Sequence, residues 1–470
     1  MARRKRAGSR SAEPRVVHPH AAGIDVGATA VYAAVPPDRD PQPIQRFATF
    51  TRDLHGLAKW LKRCRVRTVA MESTGVYWIP VFQILESQGF DVVLVNARHV
   101  HSVPGRKSDV ADCEWLRYLH TVGLLRGSFR PADNVCAVRA LLRHRDRLIK
   151  TASRSVLHMQ KAFDQMNVHL HHAISELTGQ TGLRITDAIL AGARDPARLA
   201  DLADRRIKAS QETLIKALEG DWRPEHLFTL RQARQTYAHY QQLIGECDQE
   251  IATLIRHFEA DASEPGQPPL DDPATGGIDN VGAELGVPPD DAPDQAPFDL
   301  QAHLARLFGT DLTQVPGIGL GVTQVVFAEV GPDLSRFPDA GHFASWMNLC
   351  PHNKISGDKI LGSRTGPGAN RVAQALRWST QSLYRSDSYL GQYFRRLRAR
   401  LGTPKAVTAT AHKLARIIYY LITNRVEYDE SLFAHHEQQH RRRLERRLRN
   451  QARALGFQLV ADPASSGVCF

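Results

Sequence analysis

The 470-residue chain predicts an α/β protein built in several parts: an N-terminal mixed sheet with helices, a long helical insertion and a mainly helical C-terminal domain. Three observations predict it. Short apolar runs between residues 21 and 97 alternate with amphipathic stretches in the order β-β-β-α-β-α-β. Residues 135–258 are nearly all helical in period, with few prolines and long polar faces. Residues 259–300 then hold eight of the 26 prolines and eleven acids with no Lys or Arg, a composition that cannot bury enough apolar surface to order itself. The expected boundaries are a basic arm at 1–17, a sheet domain at 18–134, a helical or coiled-coil region at 135–258, an acidic disordered linker at 259–300, a C-terminal domain at 301–430 and a basic tail at 431–470.

Within the first domain, AAGIDVGATAVYAAV (21–35) reads as two strands turning at Gly27-Ala28, and PIQRFATF (43–50) supplies a third, making an antiparallel meander. An amphipathic helix over 52–63, a buried strand VRTVAMES (66–73), a helix over 77–88 and a buried strand DVVLVNA (91–97) follow. This order brings the first strand beside the fourth. SDVADCEWLRYLHTVGLL (108–125) places apolar or aromatic residues at 110, 115, 116, 119 and 122, a helical spacing with Ser108 as N-cap.

The net charge of +12 understates the basicity, because outside residues 259–300 the remaining 428 residues carry +23. Such a surplus suits neutralisation of a polyphosphate backbone. Arg139, Arg143, Arg147, Lys150 and Arg154 recur at steps of three and four and form one basic stripe, which repels itself unless a partner compensates it. No apolar run approaches the ~18 residues of a membrane span, and the basic first fifteen residues lead into no apolar segment, so a cytoplasmic protein is expected. Six scattered cysteines without a CxxC pair read as reduced thiols.

Four acids carry the chemistry. Asp25 lies in the first strand between Gly23 and Gly27, Glu72 ends the fourth, and Asp109 and Asp112 stand three apart at a helix start and face one side. A carboxylate beside a sheet is costly unless a cation or a charge-assisted hydrogen bond compensates it. Four hard oxygen donors are the ligand class that Mg2+ or Mn2+ prefers, and a pair of such ions serves phosphodiester chemistry. Asp112 alone also fits a first-turn acid favoured by the helix dipole. The combination fits a ribonuclease-H-like sheet.

In LTQVPGIGLGVTQVVFAEVG (312–331), Gly317 and Gly319 fall between two helical runs, a helix-hairpin-helix signature that lets backbone N–H groups approach a phosphate. A tight turn without a ligand is the alternative. His436-Glu437-Gln438-Gln439-His440 matches HExxH formally but sits in an arginine-rich end, and His169-Leu170-His171-His172 reads as polar helix surface.

Through GIDVG (23–27), AMESTGVYW (70–78), LVNARHVHSVPGRKSDVADCEWL (94–116) and FASWMNLCPHNKISGDKILGSRTGPGANRVAQAL (343–376), the chain resembles the DEDD transposases of bacterial insertion sequences, RuvC-like recombinases guided by a bridge RNA. The resemblance covers about residues 20–160 and 305–430. It implies magnesium on Asp25, Glu72, Asp109 and Asp112, a basic residue at Lys107, and a nucleophilic serine at Ser356 that forms a covalent phosphoserine link during strand exchange. Around that serine, Lys354, Lys359, Arg364 and Arg371 would hold phosphates. The chain departs from the family's pattern in Ile355 and in Ala369, inserted between Gly368 and Asn370, and from spacing alone Ser356 also fits a Ser-Gly turn.

The implied partners are donor and target double-stranded DNA, a structured bridge RNA and a second copy of the chain in a homodimer or homotetramer, in a bacterial, nucleoid-associated setting. The acids and the serine flank the acidic linker, so the expected site is composite, closed between domains or between protomers. Other readings of the sheet are a structure-specific nuclease without serine chemistry and an actin-like or sugar-kinase ATPase, which also opens on a Gly-Ile-Asp-x-Gly hairpin. The ATPase needs a second Asp-Gly half, and none follows residue 160. A non-catalytic nucleic-acid scaffold explains the charge but not the four acids.

Overall fold

Strand β1 (Ala21–Val26) is the axis of the first of two compact units, Met1–Arg130 and Pro131–Phe470, in a computed structural model that describes residues 15–73, 75–96, 109–263, 299–351, 353–357, 359–366, 368, 370–458 and 460. β1 pairs antiparallel with β2 (Ala30–Ala34), and β2 with β3 (Ile44–Ala48), which is the expected meander. After α1 (Thr51–Arg63) comes β4 (Thr68–Glu72), and after α2 (Trp78–Ser87) comes β5 (Asp91–Val95); both strands run parallel to β1. The sheet order is β3-β2-β1-β4-β5, so the first strand does lie beside the fourth. The α/β class is therefore met.

Alternation assigns the two faces of this sheet. Ala22, Ile24 and Val26 of β1 and Val69 and Met71 of β4 share one core with Leu54, Leu57, Trp60 and Leu61 of α1 and Val81, Phe82 and Leu85 of α2. α1 is amphipathic at the i, i+3, i+7 spacing that buries one stripe. The opposite face carries Ala21, Gly23 and Asp25 of β1 and Thr68, Ala70 and Glu72 of β4, and is covered by α3 (Asp109–Thr121). The expected N-cap, Ser108, lies outside the described residues.

His120 anchors the end of α3. Its Nε2 lies 2.8 Å from Thr68 Oγ1, and its ring stacks on His18 at 4.8 Å. Burial, with His18 adding to it, lowers its pKa from 6.5 to about 4. The neutral ring is thus the folded form, whereas the unfolded chain takes up a proton near pH 6.5. Stability from this group is complete above pH 6.5 and is lost as pH falls toward 4. Thermal melting at pH 7 and pH 5 should show that loss for the first unit, and His120→Asn should flatten it.

The second unit is mostly helical. α4 (Asp133–Gln165) leads through a turn at Leu170–Ala173, α5 (Gln180–Leu190), a turn at Pro196–Ala200 and α6 (Gln211–Leu218) to α7 (Pro224–Ser263). α4 and α7 pack antiparallel: Leu148 and Ala152 meet Ile244, Arg145 pairs with Asp248 at 2.5 Å, and Met159 shares a core with Leu230. Of the acidic segment, residues 264–298 lie outside the described residues, as do the arm at 1–14 and nearly all the chain after 458.

After the acidic segment, α8 (Leu300–Phe308), α9 (Leu320–Val330) and α10 (Ala340–Trp346) lead into a hairpin of β6 (Lys354–Ser356) and β7 (Lys359–Gly362). α11 (Arg371–Ser382), α12 (Tyr389–Leu401), α13 (Thr403–Asn424) and α14 (Ala434–Ala454) follow. The expected pair of helical runs around Gly317 is reduced on its N-terminal side to a 3-10 turn at Leu312–Gln314. Gly317 itself has φ +86 and lies against Leu383, a left-handed position that favours glycine.

Candidate active site

Asp25 and Glu72 meet because two parallel strands end together. The register pairs Ile24 with Met71, so the next residues along, Asp25 and Glu72, stand side by side on neighbouring strands, about 4.8 Å apart in the backbone. Both side chains are half-buried at the carboxyl ends of the strands, the edge where open α/β sheets place their ligands.

The direction of α3 supplies the other side of the site. Its last turn is fixed over Thr68, at the start of β4, by His120. Its middle lies on Gly23, where a Cβ would stand 2.3 Å from Arg117 N and Cys113 O, so the helix backbone rests directly on the strand. The helix therefore runs against β1 and β4, and its first turn reaches the strand ends where Asp25 and Glu72 sit. Asp112, half-buried, is brought to that edge, and Asp109 opens the helix. The Asp109 side chain and Lys107 lie outside the described residues.

Cys113, which sequence reasoning had passed over as an ordinary thiol, is fully buried beside this edge. Burial, reinforced by the negative charge of Asp25, pushes its pKa up to about 12. The thiol stays protonated, which removes a soft sulfur donor and leaves a set of hard oxygens. That donor set fits a divalent ion of the magnesium or manganese class.

In the second unit, Ser356 ends β6 and faces Lys359 across the hairpin, with Gly357 at φ +57 making the turn between them. Ser356, Lys359 and Arg364 are exposed, as are the flanking Ile355 and Leu361. The hairpin was not expected from the sequence, because two short strands in a helical context leave little period to detect. His352 and the side chain of Lys354 lie outside the described residues. Gly319 is the N-cap of α9, and among the described residues nothing lies within 4 Å of where its Cβ would stand.

Two arginines of the expected phosphate-binding set are paired with carboxylates inside the second unit. Arg143 donates to Glu329 Oε2 at 2.7 Å and to Oε1 at 3.0 Å, and Arg371 reaches Glu329 at 3.4 Å and pairs with Asp146. Glu329 is itself only 10% exposed. A buried carboxylate of this kind is stable only when paired. Its signal in the sequence was the one acid inside the apolar run VTQVVFAEV. Asn370, preceding Arg371, caps α11 by accepting the Ala373 N–H at 3.0 Å. On the stripe, Arg139 donates to Cys136 Sγ, while Arg147, Lys150 and Arg154 are exposed. Glu329→Ala, which leaves two cations without their shared acid, should lower the second unit's stability by about 3 kcal/mol in urea unfolding.

Comparison with known proteins places these features in one family. Residues 22–168 match the family model described as a DEDD transposase of the IS110 type, and residues 309–395 match the transposase model of the IS116/IS110/IS902 family. The "Insertion element IS110 uncharacterized 43.6 kDa protein" of Streptomyces coelicolor is 30% identical over 123 residues, which is 26% of this chain and 30% of the relative. The chain thus covers less than a third of that relative's length. Among the described residues, no helix is long and apolar enough to cross a membrane. With the acid-bearing edge inside the first matched segment and Ser356 inside the second, the chain belongs to the IS110 family of DEDD insertion-sequence transposases.

Proposed function

We propose that the chain is the transposase of an insertion sequence, cutting and exchanging DNA strands with a divalent ion at Asp25, Glu72, Asp109 and Asp112 and with Ser356 as nucleophile. The observation that carries this reading is the level placement of Asp25 and Glu72 at adjacent parallel strand ends, under the start of α3. The strand order, with a three-stranded meander followed by two parallel strands, supports a ribonuclease-H-like, RuvC-like identity for the sheet. A bound magnesium or manganese ion would neutralise the clustered carboxylates and polarise a phosphoryl oxygen.

The chain's own residues divide the remaining work. Ser356 sits on an exposed hairpin corner that a phosphodiester can reach, with Lys359 beside it and Arg364 close in sequence to neutralise the phosphate. In the first step Ser356 Oγ loses its proton and bonds to phosphorus, and one phosphorus–sugar oxygen bond breaks to release a hydroxyl end. A second hydroxyl end then attacks the phosphoserine and returns the serine, so the bond count is conserved without ATP. Lys107, Lys354 and the N–H groups at Gly317 and Gly319 are proposed backbone contacts. The proposed partners are donor and target DNA, a structured guide RNA and a second copy of the chain.

Incubating the chain and its co-purifying RNA with DNA carrying the element's ends should give cleavage that requires Mg2+ or Mn2+. A complete lack of cleavage with either ion, in the presence of that RNA, would refute the assignment. Sequencing the RNA tests the guide directly. On the stripe, replacing Arg147, Lys150 and Arg154 with Ala should make the log–log salt dependence of nucleic-acid binding shallower by about 2, at 0.7–0.9 per lost phosphate contact. An unchanged slope would leave those residues as a solvated helix face.

A further inference from the structure

Away from the acidic strand ends, the described residues bring another set of metal-ligating side chains together. A carboxylate oxygen of Asp164 and one ring nitrogen each of His169 and His172 lie within 4.8 Å of one another. From the sequence the histidines read as polar surface, because Asp164 joins them only through a reversal of the chain. Met166 closes α4, Asn167 takes φ +55, the Val168 N–H donates to the Phe163 carbonyl at 2.9 Å, and the His169 N–H donates to the Ala217 carbonyl at 2.8 Å. Met166, Val168 and Leu170 are fully buried in the core between α4, α6 and α7. The backbone that presents His169 and His172 is therefore held by packing.

Partners are also in place behind the ligands. His169 Nε2 lies 3.1 Å from Asn167 Oδ1, and a proton on that nitrogen leaves the lone pair on Nδ1. His171 Nε2 lies 3.3 Å from Asp164 Oδ1, which orients the carboxylate. A second observation is independent of the cluster's spacing. The His171 side chain is only 10% exposed, and its Nδ1 has no hydrogen-bond partner among the described residues, so a polar ring sits where an aliphatic one would pack at lower cost.

We infer that Asp164, His169 and His172 bind a transition-metal ion of the zinc class, which clamps the end of α4 to the turn that follows it. Two imidazoles and one carboxylate suit Zn2+, Ni2+ or Co2+, whereas Mg2+ selects oxygen donors. Bonds of 2.0–2.1 Å in tetrahedral geometry place ligand atoms roughly 3.3 Å apart, a small rotamer adjustment from the present spacing. The three ligands are exposed, so water completes the coordination. The site is independent of the recombination chemistry proposed above.

The test uses the full chain, stripped with a chelator and kept in excess Mg2+ so that oxygen-only sites are occupied. Titration with Co2+ should give visible absorption bands saturating at one equivalent per chain, and Zn2+ should raise the thermal midpoint. His169→Ala and His172→Ala should each weaken Zn2+ binding at least tenfold and abolish the thermal shift, while Asp25→Asn leaves both unchanged. Because both rings are exposed, the metal-free variants should melt like metal-free wild type. Zn2+ affinity unchanged in both histidine variants, binding lost instead on alkylation of the cysteines, or no cobalt bands would each overturn the assignment.

Discussion

Asp25→Asn should reduce DNA cleavage by about 10³-fold or more while the protein remains folded and still binds nucleic acid. The substitution keeps the shape of the side chain and removes one charge from the pair that stands level at the ends of β1 and β4. On the proposed assignment, losing one of the four carboxylates would weaken the hold on a divalent ion and leave the phosphoryl charge that builds up during cleavage unanswered. Glu72→Gln should do the same from the neighbouring strand. A second readout reports the local field: Asp25 helps to hold the Cys113 pKa high, so Asp25→Asn should lower that pKa and speed alkylation of the denaturant-free protein at alkaline pH. Strand exchange at the wild-type rate in either variant would remove these residues from the catalytic centre.

Ser356→Ala should bind DNA and metal as wild type does yet trap no covalent protein–DNA adduct under denaturing conditions. The side chain is exposed on a hairpin corner, so its removal creates no cavity and exposes no core. With the hydroxyl gone there is no oxygen to form the ester, and strand exchange should fall below detection. The control is Ser363→Ala, seven residues further on and also exposed. An adduct that persists in Ser356→Ala but disappears in Ser363→Ala would move the nucleophile to Ser363.

Where alternation and period were strong, the sequence was readable almost to the residue. The meander, α1, α2, β4 and β5 fall within two residues of their expected limits, because each buries a regular stripe. Asp25 and Glu72 were legible as odd charges in buried strands. Their register was not, since pairing depends on contacts between strands some forty residues apart. Gly23 was legible only as a glycine flanking Asp25 in the first strand, and its role as the bare seat of α3 is visible only once the helix is placed. The Arg143–Glu329 pair joins residues 186 positions apart, whereas the β6–β7 hairpin and the Asp164 cluster are local but built from segments too short to show a period.

The pairing of α4 with α7 has a consequence of dimension. At 1.5 Å per residue, their 33 and 40 residues correspond to about 50 and 60 Å, against the ~34 Å of one turn of DNA. Two helices locked side by side by pairs such as Arg145–Asp248 act as a ruler with a bearing as well as a length. Each residue added to both arms would advance the small helical lobe at their tip by ~1.5 Å and turn it by ~100°. Seven added residues would move that lobe outward by ~10 Å and leave it facing nearly the same way, whereas two would turn it to almost the opposite side. Length variants of this hairpin would thus separate what its reach does from what its phase does.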